Sequence, residues 1–178
     1  MLYHFLILSG EREDFVREIL INSDATFLDL HEAIQESVGY DTSQIASFFV
    51  SDDEWDKGQE ITLIKMDRRS GDEELIMQDV KLQDILMNKK DRLIYQFDFF
   101  SNRGFFIELL SISENRTIAQ PALIKSEGEP PEQILLDDIG LDEVSSLLGL
   151  TEEDDEFDDE FNDIRFEDLD SDSYEEYF

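Results

Sequence analysis

Residues 2–8, LYHFLIL, form a short, aromatic and β-rich run whose hydrophobicity predicts a buried strand. A polar stretch carrying Gly10 follows. Residues 15–21 then alternate, with Phe15, Arg17, Ile19 and Ile21 falling on one side, so a second strand should pair with the first as an antiparallel hairpin. The period changes next. Phe27, Leu30, Ile34 and Val38 recur at helical spacing, Asp24 or Thr26 can cap the start, and Gly39 stands where a left-handed stop is wanted.

Residues 45–50 predict a third strand and 60–66 a fourth, with the charged, Gly-containing 67–74 as a surface loop between elements. Residues 80–87 read as a short second helix capped by Asp79. LIYQFDFF (93–100) and FFIELLSI (105–112), joined by Ser-Asn-Arg-Gly, form a second hairpin. All three prolines fall between 121 and 133, which reads as irregular chain, and 141–148 reads as a last short helix. The pattern predicts an α+β fold: a mixed, largely antiparallel sheet with a main helix packed on one face and two further short helices. The strand–strand–helix–strand opening resembles a ubiquitin-like grasp.

Composition separates a second region from this body. Residues 151–178 hold fifteen acidic residues, one base (Arg165) and six aromatics: Phe157, Phe161, Phe166, Tyr174, Tyr177 and Phe178. So dense a charge repels itself and buries too little to fold alone, so the expectation is a domain over 1–150 and a disordered tail over 151–178. Removing the tail leaves 31 acidic and 13 basic residues, so the body is strongly negative in its own right.

The whole chain of 178 residues has a formal net charge of −32. Affinity for polyphosphate comes mainly from Lys and Arg displacing counterions, so neither nucleic acid nor an anionic membrane suits this surface. A basic protein does. Cysteine is absent, which excludes disulfides, thiolate metal sites and thiol nucleophiles. The run at 2–8 is too short to span a bilayer and lacks the flanks of a signal peptide, so the expected location is the cytoplasm.

Candidate chemistry is sparse. His4 and His31 both lie among core residues and read as packed or surface imidazoles. The glycines form no phosphate-binding loop, and no nucleophile turn accompanies either histidine. Asp168, Asp170 and Asp172 mimic the first ligands of a calcium loop, but Ser173 replaces its glycine and no closing glutamate follows, which leaves weak divalent binding at most. No cofactor or metal ligand is therefore expected. In the tail, the aromatics could dock in a groove while the carboxylates meet a basic surface, or the segment could simply keep the protein soluble.

Several segments, taken in order, resemble the plasmid pRiA4b ORF-three-like domain family, also labelled transposon-passenger TnpR family. They are DFVREILI, ATFLDLHEAIQESVGYDTSQIASFF, KLQDIL, YQFDFFSNRGFFIELL and PALIKSEGEPPEQ. Gly39, Tyr40 and Asp41 match a Gly-Trp-Asp of the family. Tyr95, Phe97, Asp98 and Phe99 match its Tyr-x-Tyr-Asp-Phe, and Pro130, Pro131 and Glu132 its Pro-Pro-Glu-Asp. There are departures. Phe100 and Ser101 replace a Gly-Asp, Phe105 lies about where the family has a histidine, and Gln133-Ile134-Leu135 replaces a Gly-Gly. The resemblance implies a compact α+β domain without an assigned activity, and any polar site at the departing positions would be lost. The recombinase sense of the second label does not suit a chain with this charge. Three functions remain open: a non-catalytic interaction module for a basic protein, a carboxylate or metal-dependent enzyme with a cleft near Asp98, and a weak cation binder acting through the tail.

Overall fold

The computed structural model describes residues 1–65 and 74–135. The helix expected at 141–148, the tail and its candidate docking aromatics lie outside the described residues. Ten elements follow in order: β1 (Leu2–Ser9), β2 (Val16–Asn22), α1 (Phe27–Val38), β3 (Ser47–Ser51), β4 (Lys57–Thr62), β5 (Leu75–Ile76), α2 (Leu82–Ile85), β6 (Arg92–Asp98), β7 (Arg103–Ser113) and β8 (Ala122–Glu127). The strands form one sheet in the order β5-β4-β3-β6-β7-β1-β2-β8. Only β4 and β5 run parallel; every other neighbouring pair is antiparallel.

Alternation decides the faces. Tyr3, Phe5 and Ile7 of β1, Phe48 of β3, Leu93, Tyr95 and Phe97 of β6, and Phe105, Ile107 and Leu109 of β7 are all buried in one cluster. Phe27, Leu30, Ile34 and Val38 of α1 belong to the same cluster, and the Phe27 and Phe48 rings meet edge to face at 5.3 Å. On β2 the alternation places Arg17 inward beside Ile19 and Ile21, and its side chain is 4% exposed. The opposite face is closed at one point by the β3–β4 turn. There Asp52 Oδ1 accepts the N–H groups of Glu54 and Asp56, and Trp55, at φ +66°, lies edge-on to Phe106 at 5.0 Å.

The helix begins and ends as its sequence dictates. Thr26 Oγ1 accepts the Asp29 N–H at 3.2 Å while Asp29 Oδ2 accepts the Thr26 N–H at 2.7 Å, a reciprocal capping box. Gly39 closes the helix at φ +67°, and its N–H donates to the Gln35 carbonyl.

Four expectations change. Residues 122–127, placed in irregular chain because of the neighbouring prolines, form β8: Pro121 precedes the strand, where a missing N–H costs no ladder bond. The strand expected at 60–66 starts earlier, at Lys57, and ends at Thr62. The helix expected over 80–87 shrinks to Leu82–Ile85, and Lys81 occupies the cap position without any side-chain bond, so Asp79 is not its cap. The grasp-like opening is not realised either. Both neighbours of β1, β2 and β7, run antiparallel to it, whereas that fold needs a parallel central pair.

Both sheet edges are blunt. β5 has two residues, and β8 is short, preceded by Pro121 and interrupted by a register shift against β2 between Glu18 and Ile19. Such devices discourage pairing with another strand.

Candidate functional site

The segments matched to the family motifs lie far apart in sequence, and the fold brings three of them together. Gly39 turns the chain out of α1, and this aims Tyr40 back at the sheet. Its hydroxyl donates to the Pro131 carbonyl at 2.6 Å, and its ring meets Phe97 edge to face at 5.2 Å and stacks on Phe105 at 6.0 Å. Next to it Asp41 and Gln133 exchange a pair of hydrogen bonds. The Asp41 N–H donates to Gln133 Oε1 at 2.8 Å, and Gln133 Nε2 donates to the Asp41 carbonyl at 3.0 Å.

Arg103, the first residue of β7, ties these pieces to β6. Its Nε donates to Asp98 Oδ2 at 2.9 Å and its Nη1 to Glu11 Oε2 at 3.1 Å. Its Nη2 reaches the carbonyls of Glu132 at 2.8 Å and Gln133 at 3.1 Å, and the guanidinium lies 5.3 Å from the Phe97 ring centroid. A rigid five-donor fork suits such many-sided contact. The remaining oxygen of Asp98, Oδ1, accepts the backbone N–H groups of Phe100 at 2.9 Å and Ser101 at 3.0 Å. Burial pushes the Asp98 carboxyl up, but these donors and Arg103 together outweigh it and hold the group below its ordinary value. Burial raises the Tyr40 phenol strongly, so it stays protonated.

Chemically, this cluster is a set of mutually engaged groups. A general base needs a lone pair free to meet a substrate proton. Both Asp98 oxygens are occupied, and the described cavity beside Arg103, about 420 Å³ and lined by Trp55, Lys57, Asn102 and Phe106 among others, does not include Asp98. Phe105 is fully buried and touches the rings of Phe15, Tyr40, Tyr95 and Phe97.

The remaining motif residue, Tyr95, points elsewhere. Its hydroxyl lies 2.9 Å from His31 Nδ1 and accepts from Gln35 Nε2 at 2.5 Å, joining β6 to α1 inside the core. Burial lowers the His31 pKa and raises that of Tyr95, so both are neutral near pH 7. Phe99 and Glu132 are exposed, while Pro131 is buried. No group of three or more His, Asp or Glu side chains suited to a metal occurs among the described residues. Among them, no helix is long and apolar enough to cross a membrane.

A second feature lies at the other end of the sheet. A groove of about 490 Å³ separates α1 from β8, with Asp29, Glu32 and Glu36 along the helix side and Pro121 and Leu123 along the strand side. A smaller recess of about 210 Å³ continues it past Asn22, Asp24 and Ala25, sharing Asp29, Gln120 and Pro121 with it.

Arg103 and Gln133 lie inside the matched segments but at none of the shared motif positions, and their contacts escape a sequence reading because the fold alone supplies the partners. One signal was present. Arg103 lies five residues after Asp98 across a short hairpin connection, a spacing that brings the two side chains together.

The model of a family described as "Plasmid pRiA4b ORF-3-like protein" matches residues 4–175. Among solved structures, a protein of unknown function from Methanosarcina mazei Go1 has a similar fold. It superposes with a TM-score of 0.55 at 21% identity, covering 88% of this chain and 85% of that one. No curated protein matches.

Proposed function

The chain belongs to the plasmid pRiA4b ORF-3-like protein family, and from that premise we propose that it is a non-catalytic, acidic protein-interaction module whose partner is a basic protein. The observation that carries this reading is the state of the motif residues. Asp98, Arg103 and Tyr40 are spent on one another and on backbone carbonyls, which leaves none of these three free to exchange a proton with a substrate. What the molecule does present outward is charge. At −32 it attracts cations over the distance of a Debye length and steers a basic partner toward it.

The tail belongs to this proposal. Its six aromatics would supply apolar anchors while its fifteen carboxylates meet the partner's lysines and arginines. The proposed setting is the cytoplasm. An enzyme acting through Asp98 gains no support from a carboxylate with both oxygens engaged, and the cation-binding reading rests on 168–172, outside the described residues.

Affinity capture from the native host tests the proposal, using the full chain, a chain ending at Leu150 and an unrelated protein of matched negative charge. A basic protein should be retained by the full chain, fall off when the tail is removed and be absent from the control. Equal capture by the control would reduce the interaction to bulk charge and overturn the reading.

A further inference from the structure

The electrostatics of α1 are unfavourable as they stand. The helix has no Lys or Arg, and its last turn carries no base to meet the negative end of the helix dipole. Glu36 stands in that last turn, and Glu32 lies four residues before it on the same side, a like-charge spacing that weakens a helix. Among the described residues neither carboxylate has an ion pair or a side-chain hydrogen bond, while Asp29 is committed to the cap. Arg17 reaches the end of α1 through the Ser37 carbonyl and not through Glu36.

These unpaired carboxylates form one wall of the groove beside β8. The other wall carries Pro121 and Leu123 beside Gln120, and Leu123 is 46% exposed. No cation lines the groove. Its volume suits one or two side chains, within the usual range for binding clefts of roughly 300–1,000 Å³. β8 itself, short and broken in register, is a poor template for an added strand, so recognition would run through side chains.

We propose that the groove between α1 and β8 is where the basic partner docks, through a segment that alternates cationic and aliphatic side chains. This rests on the interaction reading given above. Lys or Arg heads lie against Glu32 and Glu36, and an aliphatic side chain packs on Leu123 and Pro121. Binding relieves the repulsion along α1, so the free protein holds a carboxylate pair whose stabilising counter-charge comes from outside.

The test uses the full chain and a fluorescein-labelled Lys–Leu peptide as long as α1, 12 residues. Amide shifts on binding should cluster at Ala33, Glu36, Gln120 and Leu123. The double variant E32K/E36K should lose about tenfold or more in affinity, since each exposed pair is worth roughly 0.2–1 kcal/mol and is here replaced by repulsion. Its melting temperature should rise slightly, because cations toward the end of α1 suit the helix dipole and lower the protein's excess negative charge, and this separates lost binding from lost folding. Leu123→Ser should weaken binding while leaving its salt dependence unchanged. An E32K/E36K variant that binds as wild type, shifts spread evenly over the acidic surface, or equal binding of a Glu–Leu peptide would each overturn the groove. Binding at another defined surface would leave the interaction reading standing, whereas a wild-type chain that binds no Lys–Leu peptide at any salt would remove both.

Discussion

Arg17 donates its Nε–H to the carbonyl of Ser37 at 3.2 Å, from β2, the strand next to the β8 edge, to the last turn of α1. The other guanidinium nitrogens bond the carbonyls of Val16, Glu127 and Gly128, and the plane lies 4.4 Å over the Phe15 ring. A cation at a helix C-terminus meets carbonyls that have no intrahelical partner, and both the dipole and the hydrogen bonds favour it. Burial lowers its pKa, though not enough to discharge a guanidinium at neutral pH.

Replacing Arg17 by Met should therefore destabilise the fold by about 2–4 kcal/mol, as the carbonyls of Val16, Ser37, Glu127 and Gly128 lose their donor at once. Arg17→Lys should recover only part of this, since one ammonium cannot serve carbonyls on three segments. Urea unfolding of the three proteins measures both effects. A change below about 0.5 kcal/mol in Arg17→Met, the usual scale of surface substitutions, would refute the role.

This interaction shows how far the sequence could be read. The alternation over 15–21 placed Arg17 on the inward side with Phe15, Ile19 and Ile21, and there it is. Periodicity reports which face a residue takes. What compensates a charge on the inner face is a matter of tertiary geometry, and Ser37 and Glu127 are 20 and 110 residues away. The same limit hid β8, whose pairing with β2 overrides the local prolines, and Arg103, whose partners come from three segments. The capping box and Gly39 were legible because each depends on neighbours within a few residues.

Asp98 ties stability to acid. Its folded pKa is depressed, so it stabilises the protein fully above its unfolded value of about 3.8 and loses that contribution as pH falls below it. Asp98→Asn should lower stability at pH 7 by about 1–3 kcal/mol and flatten the acid limb of the stability curve. Thermal unfolding between neutral pH and pH 3 follows both, and an unchanged acid limb would count against the assignment.

His31 acts at milder pH. Burial depresses its folded pKa below 6.5, so the unfolded chain binds a proton that the folded one refuses, and stability falls as pH drops below about 6.5. His31→Gln should remove this part of the slope. In wild type, the imidazole carbon shifts should report protonation at a lower pH than in the unfolded chain. A His31 that titrates near 6.5 in the folded protein would disprove the burial effect.

Gly128 closes β8 at φ +66°, where an added Cβ would lie 2.4 Å from the Asp14 carbonyl oxygen. Gly128→Ala should cost about 1–3 kcal/mol through strain and a shift of the β2–β8 pairing. Amide hydrogen exchange along Ala122–Glu127 should quicken more than along β6. Uniform quickening would mean that β8 does not open by itself.

The position of β1 has a consequence in time. It is made before both of its neighbours in the sheet, and it ends between β2, its immediate successor, and β7, whose paired residues lie about a hundred positions later in the chain. During synthesis the opening hairpin can form early, but it carries an unpaired edge until Arg103–Ser113 has emerged from the ribosome. At about 5–20 residues per second that wait lasts several seconds or more. The nascent chain is then exposed to association through the apolar run at 2–8, before most of the acidic residues that later protect the molecule have been added.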